Sequence, residues 1–332
     1  MKRVVWGILG TAKIAREKVI PALQGSEFCD VQAVASRSLE RAQAYTIPLG
    51  IPRAYGSYQE LFDDPAIEVV YNPLPNHEHV ALTLQAARAG KHVLCEKPVA
   101  LDANQAAQLR EVANKVHIME AFMLRFHPQW NRAREILRSG KLGPVRSLQA
   151  WFSYCNMDPN NIRNKPDIGG GALYDIGCYP IVVARYLFDA EPLRVVALID
   201  RDPHFKIDRT VSGLLDFGGG RRMDFTVSTQ AVPYQRVNIC GEHQRLEVHI
   251  PFNAPLGGTT DLLLDDGKLL DGSAITRETI PACDMYGVQG DIFSRVVRGE
   301  LEPPYGIEDA ILNMRVIDAL FESERTAGWV NV

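Results

Sequence analysis

The chain has 332 residues, of which 46% are hydrophobic and 23% charged, with a formal net charge of −4. That length favours two domains with ample core, and a charge close to balance without a basic run argues against nucleic acid and anionic membranes as partners. No apolar run approaches the roughly 18 residues that span a bilayer, and the short apolar stretch after Met1-Lys2-Arg3 flows into a glycine turn, so it reads as a strand and not as a signal peptide.

In chain order, residues 1–122 alternate strand and helix signals, which predicts a parallel, doubly wound Rossmann sheet. The pattern places strands at 4–9, 31–35, 67–71, 92–95 and 116–121. A first helix is expected over 13–24, with Pro21 bending or ending it early, and a second over 39–45. Ser57 with Glu60 and Asp102 with Gln105 form capping-box pairs. They open helices after Ser57 and from 102 to about 114. Asn76 is expected to cap a helix to Ala89 that Gly90 closes. Beyond residue 122 the signals change. Helices are expected over 130–139, from the glycine run Gly169-Gly170-Gly171 to 188, over 288–297 and over 308–326. Strands are expected at 148–154, 194–199, 210–217, 221–228, 236–240 and 245–250, with Gly218-Gly219-Gly220 as a hairpin turn. The expected architecture is α/β: a Rossmann domain over 1–122, then a domain over 123–332 built on a large, mostly antiparallel sheet.

Candidate binding residues follow from the strand ends. Gly10-Thr11-Ala12-Lys13-Ile14-Ala15 occupies the place of the glycine-rich turn where a dinucleotide pyrophosphate meets a helix N-terminus. Only the first glycine is present, with Ala12 and Ala15 in place of the others, so a plain strand–helix turn fits as well until the βαβ context is added. After the second strand stand Ser36, Arg37 and Ser38, with Arg41 a turn later, where an NAD site carries an acid. Arg37 offers a planar fork to a 2′-phosphate, which points to NADP, with NAD still possible. Arg37 and Arg41 also read as solvated residues at a helix start. Asn72, Pro73, Leu74, Asn76 and His77 form a proline-stiffened loop that can lie along a nicotinamide ribose. His77 and His79 diverge on a helix and make a poor metal pair. The cysteines (Cys29, Cys95, Cys155, Cys178, Cys240, Cys283) make no Cys-x-x-Cys pair, so no metal site is expected, and free thiols fit a reducing cytoplasm.

Two stretches carry the chemistry. Lys97 follows Glu96 at the end of a strand, in front of Pro98, where open α/β sheets bind ligands. A lysine there can move a proton if its pKa is brought down. Asp175 and Tyr179 are four apart after the glycine run and share a helical face. Their plainer reading is a carboxylate bonding local N–H groups and a half-buried phenol. The glycines are expected to let this helix approach the cofactor domain closely.

With Ala89-Gly90-Lys91-His92-Val93-Leu94-Cys95-Glu96-Lys97-Pro98 and Gly169 to Tyr179 together, the chain resembles the glucose–fructose oxidoreductase and inositol 2-dehydrogenase family over essentially its whole length. Trp6 to Ala12, Met119 to Pro128 and the tyrosine at 179 are similar to the branch of dimeric dihydrodiol dehydrogenase and NADP-dependent D-xylose dehydrogenase. The resemblance implies Lys97, Asp175 and Tyr179 as the catalytic group, with either Lys97 or Tyr179 as proton donor. It implies that Glu96, Asn72 and His77 line the nicotinamide, that Arg125 and Arg163 face cofactor or substrate, and that Tyr286 belongs to the same cleft. It implies an NADP-dependent oxidoreductase for a sugar, polyol or vicinal diol, a homodimer or homotetramer and, from the start at the first strand, a cytoplasmic enzyme with exchangeable cofactor. Two alternatives remain: a dinucleotide-sensing regulator without chemistry, and an NAD-dependent redox glycosidase.

Overall fold

The computed structural model describes residues 2–332, which form two compact units. The first takes the chain up to Met123 together with Met285–Met314. Its core is a six-stranded parallel sheet of β1 (Val4–Leu9), β2 (Cys29–Ala35), β3 (Arg53–Tyr55), β4 (Val69–Asn72), β5 (His92–Cys95) and β6 (Ile118–Glu120). The order is β3-β2-β1-β4-β5-β6, so direction of winding reverses between β1 and β4. Trp6, Ile8, Val69, Val70 and Tyr71 are fully buried, as strands covered on both faces require.

Local side-chain caps open three helices of the first unit. Ser38 caps α2 (Leu39–Thr46) by accepting from the Arg41 amide at 3.4 Å. Ser57 caps α3 (Tyr58–Asp63). Asp102 caps α5 (Ala103–Ala107) at 2.7 Å, while Gln105 reaches back to the Leu101 amide at 3.3 Å. Three expectations change. Pro21 does not end the first helix. A wide turn at Ala15–Val19, in which the Ile20 amide reaches five residues back to Ala15, leads into α1 (Ile20–Gln24) with Pro21 in its first turn, where a missing N–H costs least. Asn76 does not cap α4 (His79–Arg88). It opens a 3-10 turn, Asn76–Glu78, that enters the helix. The helix after Asp102 stops as a 3-10 turn at Gln108–Glu111, short of residue 114. The strand β3, three residues long, was below what alternation reveals.

The second unit holds Leu124–Asp284 and Arg315–Val332. Helix α6 (Pro128–Arg138) precedes a nine-stranded sheet of β7 (Val145–Cys155), β8 (Arg194–Arg201), β9 (Asp208–Gly218), β10 (Arg221–Ser228), β11 (Gln230–Gly241), β12 (Arg245–Val248), β13 (Thr260–Asp265), β14 (Thr276–Ile280) and β15 (Val330–Asn331). The order is β14-β13-β12-β11-β7-β10-β9-β8-β15, antiparallel except for the β7–β10 pair. Gly218, Gly219 and Gly220 all have φ between 60° and 79°, which makes them the β9–β10 turn. The strands β13, β14 and β15 were not anticipated. Helix α7 (Cys178–Phe188) is entered by a wide turn at Leu173–Gly177. The remaining helices are α8 (Met285–Val297) and α9 (Ile307–Thr326). In the first unit α8 buries Phe293 against Trp6, whose indole N–H donates to Ser294 at 3.1 Å. Among the described residues no helix is long and apolar enough to cross a membrane.

The fold buries neutral imidazoles. His127 is fully buried and caps α6 through Nδ1, which accepts from the Gln129 amide at 3.2 Å. Burial pulls its pKa down to about 4, and burial does the same to His79 and His92. The unfolded chain therefore binds more protons between pH 6.5 and 4, and stability is lost as pH falls through that window. One such imidazole is worth about 3 kcal/mol. Thermal melts from pH 7 to pH 4 are expected to show this acid loss, and His127→Asn, which keeps a cap, is expected to reduce it.

Candidate active site

In the first unit the candidate residues lie where strands end. Gly10 follows β1 with φ 71°, and its amide donates to the Ala35 carbonyl at 2.7 Å. A Cβ there would stand 2.7 Å from Leu74 Cδ2, so the turn and the Pro73–Pro75 loop touch through the missing side chain. Thr11, Ala12 and Ile14 are half-buried around it. The Tyr45 hydroxyl donates to the Ala12 carbonyl at 2.8 Å, and the Arg16 guanidinium lies 4.5 Å over the Tyr45 ring. Thr11, Lys13, Arg16, Arg41 and Tyr45 line a cavity of about 470 Å³ beside this turn together with one carboxylate, Glu17, which stands 3.8 Å from Lys13. A turn whose Cβ position is filled by a neighbour, with cations around the adjoining cavity, fits a dinucleotide phosphate.

Arg37 and Arg41 are exposed, whereas Ser36 is buried after β2. Both arginines act electrostatically on the Tyr58 phenol, and its hydroxyl is 4.0 Å from the Gly10 Cβ position. Burial raises the Tyr58 pKa. Sequence reading missed Tyr58, which presents itself only as the first residue after a cap.

Glu96 and Lys97 are half-buried at the end of β5. The Glu96 amide donates to the Asn72 carbonyl at 2.9 Å, and the Tyr71 hydroxyl donates to the Glu96 carboxylate at 2.7 Å. Burial, with the Glu96 carboxylate beside it, keeps Tyr71 protonated as that donor. Beyond Pro98, the Val99 amide donates to Glu120 at 2.8 Å. Asn72 is fully buried. Its carboxamide donates to the His79 carbonyl at 3.2 Å and to Thr83 at 3.3 Å and accepts from the Leu74 amide, so it holds the loop from within. Pro73 is buried; Leu74 and Asn76 are half-buried; His77 is exposed beside Glu78, 3.6 Å away.

In the second unit Asp175 sits in the wide turn before α7, an irregularity common at functional sites. The Arg163 Nε donates to one carboxylate oxygen at 2.8 Å and the Tyr154 hydroxyl to the other. Burial and Asp175 hold Tyr154 well above the usual phenol range, and Asp175 raises Arg163. Tyr179 is buried with its ring 5.8 Å from both Phe152 and Phe252, close enough to Tyr154 and Arg163 to affect both electrostatically. Arg125 is buried in the same unit. Tyr154 was missed because it lies on β7, far from Asp175 in sequence.

The glycine run packs tightly inside its own unit. A Cβ on Gly170 would lie 2.6 Å from the Arg163 and Lys165 carbonyls, and one on Gly171 (φ 120°) would lie 1.9 Å from Asp208 Oδ1. The helix starts after the run, and the Leu173 amide donates to Asp208 Oδ2 at 2.6 Å. Burial raises Asp208 to about 7. Asp208, also unforeseen, is thus a capping carboxylate delivered by β9.

The sheet order, the glycine turn and the polar groups at strand ends define a dinucleotide-dependent oxidoreductase. Residues 4–122 match the oxidoreductase family with an NAD-binding Rossmann fold, and residues 130–247 match the GFO/IDH/MocA C-terminal domain. A D-xylose 1-dehydrogenase (NADP(+)) of Haloferax volcanii is 38% identical over 99% of this chain and 100% of its own. A trans-1,2-dihydrobenzene-1,2-diol dehydrogenase of Xenopus laevis is 35% identical over 71% of this chain and 72% of its own. A 3-ketoreductase of Actinomadura kijaniata, solved with NADP and TDP-benzene, superposes with a TM-score of 0.90 at 28% identity, covering 97% and 98% of the two chains. The chain belongs to the GFO/IDH/MocA oxidoreductase family. It is an NAD(P)-dependent oxidoreductase, as its motifs led one to expect.

Gly171→Ala is expected to destabilise the protein by roughly 2–4 kcal/mol, through backbone strain at positive φ and overlap with Asp208. Urea unfolding measures this, and a midpoint equal to that of the wild type would refute the account.

Proposed function

We propose that this chain moves a hydride between NADP and a CH–OH or C=O group of a sugar, polyol or vicinal diol. Bound NADP would accept or supply the hydride, and the matching proton leaves or joins the substrate oxygen. Gly10, Thr11, Ala12 and Ile14 would hold the pyrophosphate; Arg37 and Arg41, with Ser36, the 2′-phosphate; Asn72 to His77 and Glu96 the nicotinamide side. Residues 1–122 carry this role, and residues 123–332 carry substrate binding and oligomerisation.

The observation that carries the reading is the carboxylate of Asp175, held by Arg163 and Tyr154 with Tyr179 beside them. A fixed carboxylate and phenols suit a hydroxyl-rich substrate, because each hydroxyl needs both a donor and an acceptor. Lys97 and Tyr179 are the proton-handling groups, either of which can serve as the donor. Arg125 and Tyr286 are the remaining substrate-facing candidates. The NADP preference rests on two exposed arginines at the end of β2 in place of an acid.

The test begins with titration of the intact protein by NADPH and NADH, followed by nicotinamide fluorescence, and continues with aldoses, ketoses and diols. NADPH is expected to bind more tightly. Lys97→Ala and Tyr179→Phe are each expected to lower turnover at least about 100-fold with NADPH affinity changed little. Unchanged turnover in both would remove the catalytic assignment, and binding without turnover by the wild type would favour a sensor.

We also propose a homodimer or homotetramer paired through the bare face of the nine-stranded sheet. Leu198, Ser212, Thr226, Trp151 and Arg236 stand opposite one another on consecutive strands and so share a face. On it the apolar Leu198 is 78% and Trp151 42% exposed, set among the polar Ser212, Thr226 and Arg236, a mixture common at interfaces between subunits. Light scattering is expected to give at least twice the chain mass, and Trp151→Arg to reduce it.

A further inference from the structure

His79 belongs to no proposed substrate or cofactor contact, yet it is fully buried between two pieces of the cofactor edge. Its Nδ1 lies 2.7 Å from the Pro98 carbonyl and its Nε2 lies 2.7 Å from the Leu74 carbonyl. One imidazole thus spans the loop after β4 and the turn after β5. A neutral ring donates to one of these carbonyls and an imidazolium to both. The neutral ring bonds one carbonyl and packs against the other, so it spans Leu74 and the Lys97–Pro98 turn with a single hydrogen bond. The tie extends further on each side. Leu74 fills the space above Gly10, and the Asn72 carboxamide bonds the His79 backbone carbonyl.

We propose that His79 is a positioning residue that holds the nicotinamide-side loop and the lysine-bearing turn in register, so that the site is pre-shaped for the nicotinamide half of the cofactor. This rests on the NADP reading given above. In a doubly wound sheet the ligand lies across the reversal of strand order, with one half over β1 and β2 and the other over β4 and β5. Leu74 and Pro98 belong to the second half, and the residues proposed for the 2′-phosphate belong to the first. His79 therefore acts on one half of the ligand and not on the other.

That asymmetry is what a general loss of stability cannot imitate. The experiment compares dissociation constants of NADPH and of adenosine 2′,5′-bisphosphate, which has the adenine end alone, for wild type, His79→Ala and His79→Gln. A lost buried hydrogen bond corresponds to about tenfold. His79→Ala is expected to weaken NADPH about tenfold while the bisphosphate changes less than about twofold. His79→Gln, which can still donate to one carbonyl, is expected to recover part of the loss and serves alone if the alanine variant does not fold. Equal loss for both ligands, or no loss for NADPH, would overturn the inference while leaving the cofactor reading standing. A wild type that binds neither ligand would overturn the cofactor reading, and the inference with it.

Discussion

Strand β1 is paired on both edges, to β2 through Val4–Leu9 with Cys29–Ala35 and to β4 through Trp6–Ile8 with Val69–Tyr71. The functional edge of the first unit depends on that double pairing. Because the strands are parallel, their ends fall on one side, and the order reverses at β1, which is where open sheets of this kind bind ligands. Backbone groups beyond the ladder must find partners in neighbouring backbone, side chains, water or a ligand. Gly10 donates to Ala35, Glu96 to Asn72 and Ala121 to Cys95, which sews neighbouring strand ends together without consuming the side chains. The polar groups of Glu96 and Lys97 are thereby displayed by a rigid support.

The second unit solves a different problem. A carboxylate in a partly buried position is costly unless its oxygens are paired. Asp175 meets this with Arg163 on one oxygen and Tyr154 on the other. The Arg163 segment is itself pinned, because the Gly171 amide donates to the Arg163 carbonyl at 2.9 Å and the Gly170 amide to that of Lys165 at 2.9 Å. Glycine is needed there for contact distance, and Asp208 completes the seat by taking the Leu173 amide. Rigidity comes from three chain segments converging on one helix start, which is how a short polar cluster keeps its geometry without a large polar core.

What could be read from the sequence was local. Ser57 with Glu60 and Asp102 with Gln105 state their own helix starts, since partner and cap lie within four residues. The β4 and β5 strands are continuous apolar runs, and the motif at Glu96–Lys97–Pro98 marks the strand end that bears the lysine. What could not be read was non-local. Tyr58 reaches the glycine turn in the first unit, and Tyr154 and Asp208 reach the Asp175 cluster and its helix start in the second, from strands or helices whose own pattern explains them fully. The asparagine at 76 looked like a cap because cap chemistry and 3-10 entry use the same residue types. Pro21 looked like a stop because a wide turn that accommodates it leaves no trace in composition. The strands β13 and β14 were hidden by the acidic and glycine-rich turn between them.

The ends of the two sheets share a property. The first finishes in β3 and β6, three residues each, and the second in β15, two residues. The remaining end, β14, carries Arg277 and Glu278, which are tied to Asp261 at 3.2 Å and to Arg132 at 2.6 Å. Unpaired strand edges invite other chains to add on and seed fibrils. Here three edges are too short to template a strand and the fourth is blunted by charge. The edges of the two sheets thus offer little purchase for edgewise growth.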